Sequence, residues 1–108
     1  MSITLDTAAA KQLPKNAAPI LDALKRCVQI ARSDTGQSGV VAKAILSAYN
    51  GDRFQLDVSD LARLDKEIFN DVLTVFRLRH AGFEPHTFIQ NGGNVFESIA
   101  KAWGFEQH

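Results

Sequence analysis

The chain has 108 residues and a mass of 11.9 kDa, and twelve basic residues balance twelve acidic ones. That length suits one domain, the single Cys27 rules out an internal disulfide or a four-cysteine zinc site, and no apolar run approaches the roughly 18 residues of a membrane span. Leu, Ile, Val and Phe supply 31 residues, well above the roughly one-fifth below which disorder becomes the better reading. No apolar stretch of signal-peptide length opens the chain, so a soluble cytoplasmic domain is expected.

Residues 1–15 hold few large apolar groups before Pro14 and read as an N-terminal arm; residues 16–108 read as a single helical domain. Within the arm, Ser2-Ile3-Thr4-Leu5-Asp6 alternates with period two, which suits an extended segment lying on the body. A first helix is expected from Asn16 as N-cap, with Pro19 in its first turn. Ile20, Leu21, Leu24, Cys27, Val28 and Ala31 then share one stripe. Gly36 is the natural breaker.

A second helix is expected over 39–49, capped by Ser38 or Thr35 and stopped by Asn50-Gly51 through a left-handed residue. Residues 53–58 alternate again. If they pair with anything, residues 2–6 are the other alternating segment, so a minimal two-stranded pairing of 2–6 with 53–58 is expected beside the helices. Asp57 or Ser59 caps a short helix through Leu64, and Asp65 caps the longest one, 66–80. Its apolar residues, Val72 and Phe76 among them, cover over half its circumference, which predicts the central helix of the fold. Gly82 stops it. Pro85 suits a further short helix, Asn91-Gly92-Gly93 breaks it, and Asn94 with Glu97 forms a capping-box pair for the last helix. The architecture expected is all-α, a compact bundle of four to five helices.

Chemistry-bearing patterns are sparse. Gly36-Gln37-Ser38-Gly39 lacks the spacing of a nucleophile elbow and of a P-loop. Cys27 sits on an apolar stripe, where a thiol is inert. His80, His86 and His108 lack metal-site spacing, and His80 suits a helix C-terminus. Glu67 and Asp71 share a polar helix face, where carboxylates are usually solvated. Residues 1–50 carry six basic and three acidic groups, and residues 51–108 carry six and nine. Lys25, Arg26 and Arg32 make a basic cluster on one helix, and a helix-turn-helix over 39–64 would read DNA with Asp57, Asp60 and Asp65 against Arg63. Phosphate binding is not expected from that balance. No assembled catalytic site, metal or cofactor is expected.

The runs Leu46–Phe54, Asp60–Asp65 and Val75–Leu78, then Glu84-Pro85-His86, Asn91-Gly92-Gly93 and Trp103-Gly104, together resemble a family of small uncharacterised proteobacterial proteins often borne on integrative elements and plasmids. The resemblance covers roughly residues 36–104. It implies an accessory protein of mobile DNA and transfers no catalytic residue. The expected role is therefore a non-catalytic helical interaction module, with a nucleic-acid-binding accessory protein as the rival. The expected partner is another protein, and self-association stays open. The expected contact surface is Phe83, His86, Phe88, Asn91, Gly92 and Gly93, since aromatics beside adaptable polar groups in a loop suit recognition.

Overall fold

The computed structural model describes residues 3–105. Its elements are a one-turn helix α1 (Thr7–Ala10), the long helices α2 (Ala18–Ala31), α3 (Ser38–Tyr49), α4 (Lys66–His80) and α5 (Gly92–Trp103), and two 3-10 turns, Val58–Arg63 and Pro85–Phe88. The all-α expectation holds: the described residues contain no strand longer than a single bridge. None of their helices is long and apolar enough to cross a membrane.

Helix α2 buries Leu21, Leu24, Cys27, Val28 and Ala31, the stripe expected from their three-and-four spacing. Asn16 does not cap it. The helix starts one residue later from Ala17, whose N–H donates to the Pro14 carbonyl at 3.1 Å, with Pro19 in its first turn. Arg26 leaves α2 to clamp Asp71 of α4 through two bonds of 2.8 and 2.9 Å. Asp71 is therefore an inter-helix tie rather than a solvated carboxylate.

The centre of the fold is α3, not α4. Seven of its twelve residues are buried, against three of fifteen in α4. The cause is composition. Helix α3 (SGVVAKAILSAY) carries one charge and mostly small or branched apolar groups, so α2, α4, α5 and both 3-10 turns can close around it. Helix α4 has more large apolar residues, but its charged residues hold one side in water, and Phe76 is only half-buried. The start of α3 is knotted by Ser38, which is fully buried and whose Oγ accepts from Thr35 N–H at 3.0 Å and meets Thr35 Oγ1 at 2.8 Å. Gln37 joins this start to that of α4: its Oε1 accepts from Asp65 N–H at 2.6 Å and its Nε2 donates to Asp65 Oδ2 at 2.9 Å. Asn50 ends α3 in an extended conformation, its Oδ1 accepting from Asp52 and Arg53 N–H, and not as a left-handed stop.

The arm lies on the body. Ile3 is buried, and Leu5 forms an antiparallel bridge with Ile89, not with residues 53–58. Asp6 N–H donates to the Phe88 carbonyl and Gln90 N–H to the Thr4 carbonyl, both at 2.8 Å. Residues 53–58 are engaged elsewhere: Phe54 N–H donates to Asn50 at 3.0 Å, the Phe54 ring is buried, and Asp57 Oδ1 accepts from Ser59 N–H to start the next turn. Residue 2 of the expected pairing falls outside the described residues.

Candidate functional site

The expected contact segment, 83–93, is largely turned inward. Phe88 is buried and meets Phe83, itself half-buried, edge to face at 5.9 Å. The half-buried His86 ring lies edge-on to Tyr49 at 4.9 Å and near Phe96 at 6.2 Å, with its Nδ1 buried and without a hydrogen-bond partner. Gly92 is buried because α5 starts against the His86 carbonyl, where any Cβ would collide. Asn91 caps α5 in the left-handed conformation at φ 58° and is exposed, and its Oδ1 accepts from Asn94 Nδ2 at 2.8 Å. Gly93 has open space around it. Of the six residues, only Asn91 is fully outward.

Beside this segment is a cluster the spacing of the sequence did not suggest. Glu97 does not close a capping box. Its carboxylate accepts from Arg53 Nη1 and Nη2 at 2.6 and 2.9 Å and from the Tyr49 hydroxyl. The paired Arg53 guanidinium and then the Tyr49 hydroxyl pull the Glu97 carboxyl down to about 2. The same bond to Glu97 raises the Tyr49 phenol above its ordinary value. The cluster ties α3 and the loop after it to α5. The arrangement is that of a structural ion pair.

The outward-facing apolar surface lies at Val58–Arg63 instead. This turn buries none of its residues, and Val58 stands 72% exposed. A 3-10 helix has three residues per turn, so side chains three apart stack in rows. One row is Val58, Leu61 and Leu64. With Ala62, and with Lys66 and Phe69 of α4, it lines a shallow, mostly apolar groove of about 460 Å³. The next row, Asp57, Asp60 and Arg63, faces the other way into a cavity of about 470 Å³ backed by Trp103 and Phe105. The short helix capped by Asp57 is expected from the sequence, but its outward-facing apolar row is not. The one signal was the spacing of strictly three along that row.

Other candidates for chemistry are accounted for. Burial pushes the Cys27 thiol up to about 12, far from reactivity. No group of three or more His, Cys, Asp or Glu side chains that could hold a metal forms among the described residues, and His108 lies outside them. His80 ends α4 beside Arg77 and Arg79, where cations complement the helix dipole.

No curated protein and no solved structure matches the chain. One family model does, over residues 21–104, from the first turn of α2 to the glycine that stops α5. The match starts ahead of residue 36, so α2 is part of the shared unit, while the arm precedes it. The chain thus belongs to DUF7673, a family of unknown function.

Proposed function

We propose that the chain is a non-catalytic interaction module that receives an amphipathic segment of another protein in the groove of Val58, Leu61, Leu64 and Phe69. The observation carrying this is Val58, a branched apolar side chain 72% exposed at the head of a mostly apolar groove. Such surface is costly to leave in water and marks interaction sites. Lys66 lines the groove and stands between Asp65 and Glu67 in sequence, a small acidic surplus, so the proposed partner segment has apolar anchors flanked by basic residues. The same acidity disfavours nucleic acid here. On α2, Arg26 is committed to Asp71. The motifs resembling plasmid- and element-borne proteobacterial proteins extend this reading to an accessory role for mobile DNA in a bacterial cytoplasm.

The test is a photo-crosslinking residue placed at Val58, with one at the exposed Gln29 of α2 as control, followed by mapping of the adduct in the native host. The expected adduct forms at position 58 alone and maps to an apolar segment with adjacent Lys or Arg. A synthetic peptide of that segment should bind the purified chain, and Val58→Asp should weaken it about tenfold or more, some 1.4 kcal/mol, with an unchanged melting temperature. An adduct with a second copy of the chain, or a peptide that binds Val58→Asp equally well, overturns the proposal.

A further inference from the structure

The arm and the helical body are held to very different degrees. Among the described residues, two hydrogen bonds join residues 3–16 to everything from Ala18 onward. They are Asp6 N–H to the Phe88 carbonyl and Gln90 N–H to the Thr4 carbonyl. The other bonds of this stretch are local. Asp6 Oδ1 accepts from Ala9 N–H at 3.0 Å to cap α1, and the Lys11, Gln12 and Leu13 N–H groups each donate three residues back. These travel with the arm wherever it goes. Its apolar hold is equally thin. Ile3 is buried, Leu5, Ala9, Ala10 and Leu13 are only partly so, and α1 buries none of its residues. Pro14, Lys15 and Asn16 then stand exposed, and Ala17 is the first buried residue after them. The four long helices instead share one core through Leu24, Ile45, Val72 and Phe96.

The seat has a defect of its own. Among the described residues, the one buried side-chain polar atom without a hydrogen-bond partner is His86 Nδ1, in the turn that receives the arm. An unmet buried bond weakens the closed state. Segments with few buried contacts open at a fraction of the cost of global unfolding. We propose that the arm is a strap that opens and closes on a body that stays folded. Residues 3–13 swing on Pro14–Asn16. Opening takes Leu5 off Ile89 and frees the Phe88 carbonyl and the Gln90 N–H, a short strand edge just ahead of α5. None of these residues lines the groove at Val58.

Amide hydrogen exchange of the full chain, followed by NMR at low urea concentrations, tests this. The Asp6 and Gln90 N–H groups cross the bridge, and those of Ile45 and Leu46 lie in the buried part of α3. Exchange at Asp6 and Gln90 should be about a hundredfold or more faster than at Ile45 and Leu46. Its urea dependence should be much shallower, because opening exposes little surface. One shared rate and slope for all four amides would mean that the arm leaves only on global unfolding, which overturns the proposal. A tether gives a second readout. Thr4 and Gln90 face each other across the bridge with exposed side chains, and Cys27 is buried. Residues paired in this way have Cα atoms about 5.5 Å apart, which a disulfide can span. In oxidised Thr4→Cys/Gln90→Cys the Asp6 amide should slow to the rate of Ile45, and reduction should restore the gap. No slowing on oxidation also overturns the strap. Finally, Ile3→Asp places a charge in the seat and should hold the arm open. The Asp6 and Gln90 amides should then exchange within about tenfold of unprotected rates. The body should keep one cooperative urea transition, followed through Trp103, the only tryptophan. Loss of that transition would make the arm part of the core rather than a strap.

Discussion

The molecule contains the same device twice, a 3-10 turn running into a long helix, and uses it in opposite ways. Pro85–Phe88 leads to α5 with Pro85 and Phe88 buried, the arm bridged across it and the helix start pressed on the His86 carbonyl. Val58–Arg63 leads to α4 with no residue buried. Both segments have aromatic or branched residues beside polar ones, which is why composition favours the first as a contact surface. What separates them is their backing. The first turn packs on α3, the arm and α5, which consume its apolar groups. The second packs Leu61 and Leu64 in part against the core and leaves Val58 exposed.

The largest expected contrast is in stability. Phe88→Ala should cost about 3–5 kcal/mol by leaving a cavity, and Val58→Ser should stay within about 0.5 kcal/mol. Urea melts of the two variants measure this directly, and comparable losses would erase the distinction. A second pair keeps the chemistry constant. Ile45 of α3 is fully buried, and Ile68, in the first turn of α4, is half-buried. Ile45→Ala should cost about 3 kcal/mol and Ile68→Ala about 1 kcal/mol. The opposite order would return α4 to the centre of the fold.

Adjacent glycines sharpen the picture further. Gly92→Ala drives a methyl into the His86 backbone and should cost about 1–3 kcal/mol. Gly93→Ala meets open space on a helix and should gain up to about 1 kcal/mol. Thermal melts that moved in the same direction for both would show that α5 is not seated on that carbonyl. The smallest effect is electrostatic. The folded chain holds Glu97 at about 2 against an ordinary 4.5, so its contribution is complete above pH 4.5 and fades as pH falls toward 2. Because Glu97 is partly exposed, that contribution should be below about 1 kcal/mol. Glu97→Gln should flatten this acid limb. It should also lower the tyrosinate absorbance midpoint of Tyr49, the only tyrosine, toward 10. An unmoved midpoint would remove the Tyr49–Glu97 bond from the account.

Helix boundaries were legible wherever a stripe at three-and-four spacing met a Gly or Pro. The starts of α3, α4 and α5 fall within a few residues of expectation, and Gly82 and Gly104 stop their helices with positive φ. The order of burial was not legible. Periodicity reports which face is apolar, whereas the central position went to α3, whose small residues admit neighbours on several sides. Long-range partners were hidden too. The alternation in the arm correctly signals an extended segment, but its partner, Phe88-Ile89-Gln90, is too short to alternate visibly. Glu97 satisfies a capping-box spacing and is claimed instead by an arginine 44 residues away, which no local rule can weigh. Of the site, the aromatic segment 83–88 was legible as a cluster but not its inward direction.

The bridge between Leu5 and Ile89 also orders events during synthesis. The arm leaves the ribosome before the helical body, and its docking partner lies 84 residues downstream, between the second 3-10 turn and α5. At roughly 5–20 residues per second that is a wait of about 4–17 seconds, during which Ile3 has no site to occupy. The arm is thus a late latch, which closes only once the region around Ile89 has been made and the helical body can receive it.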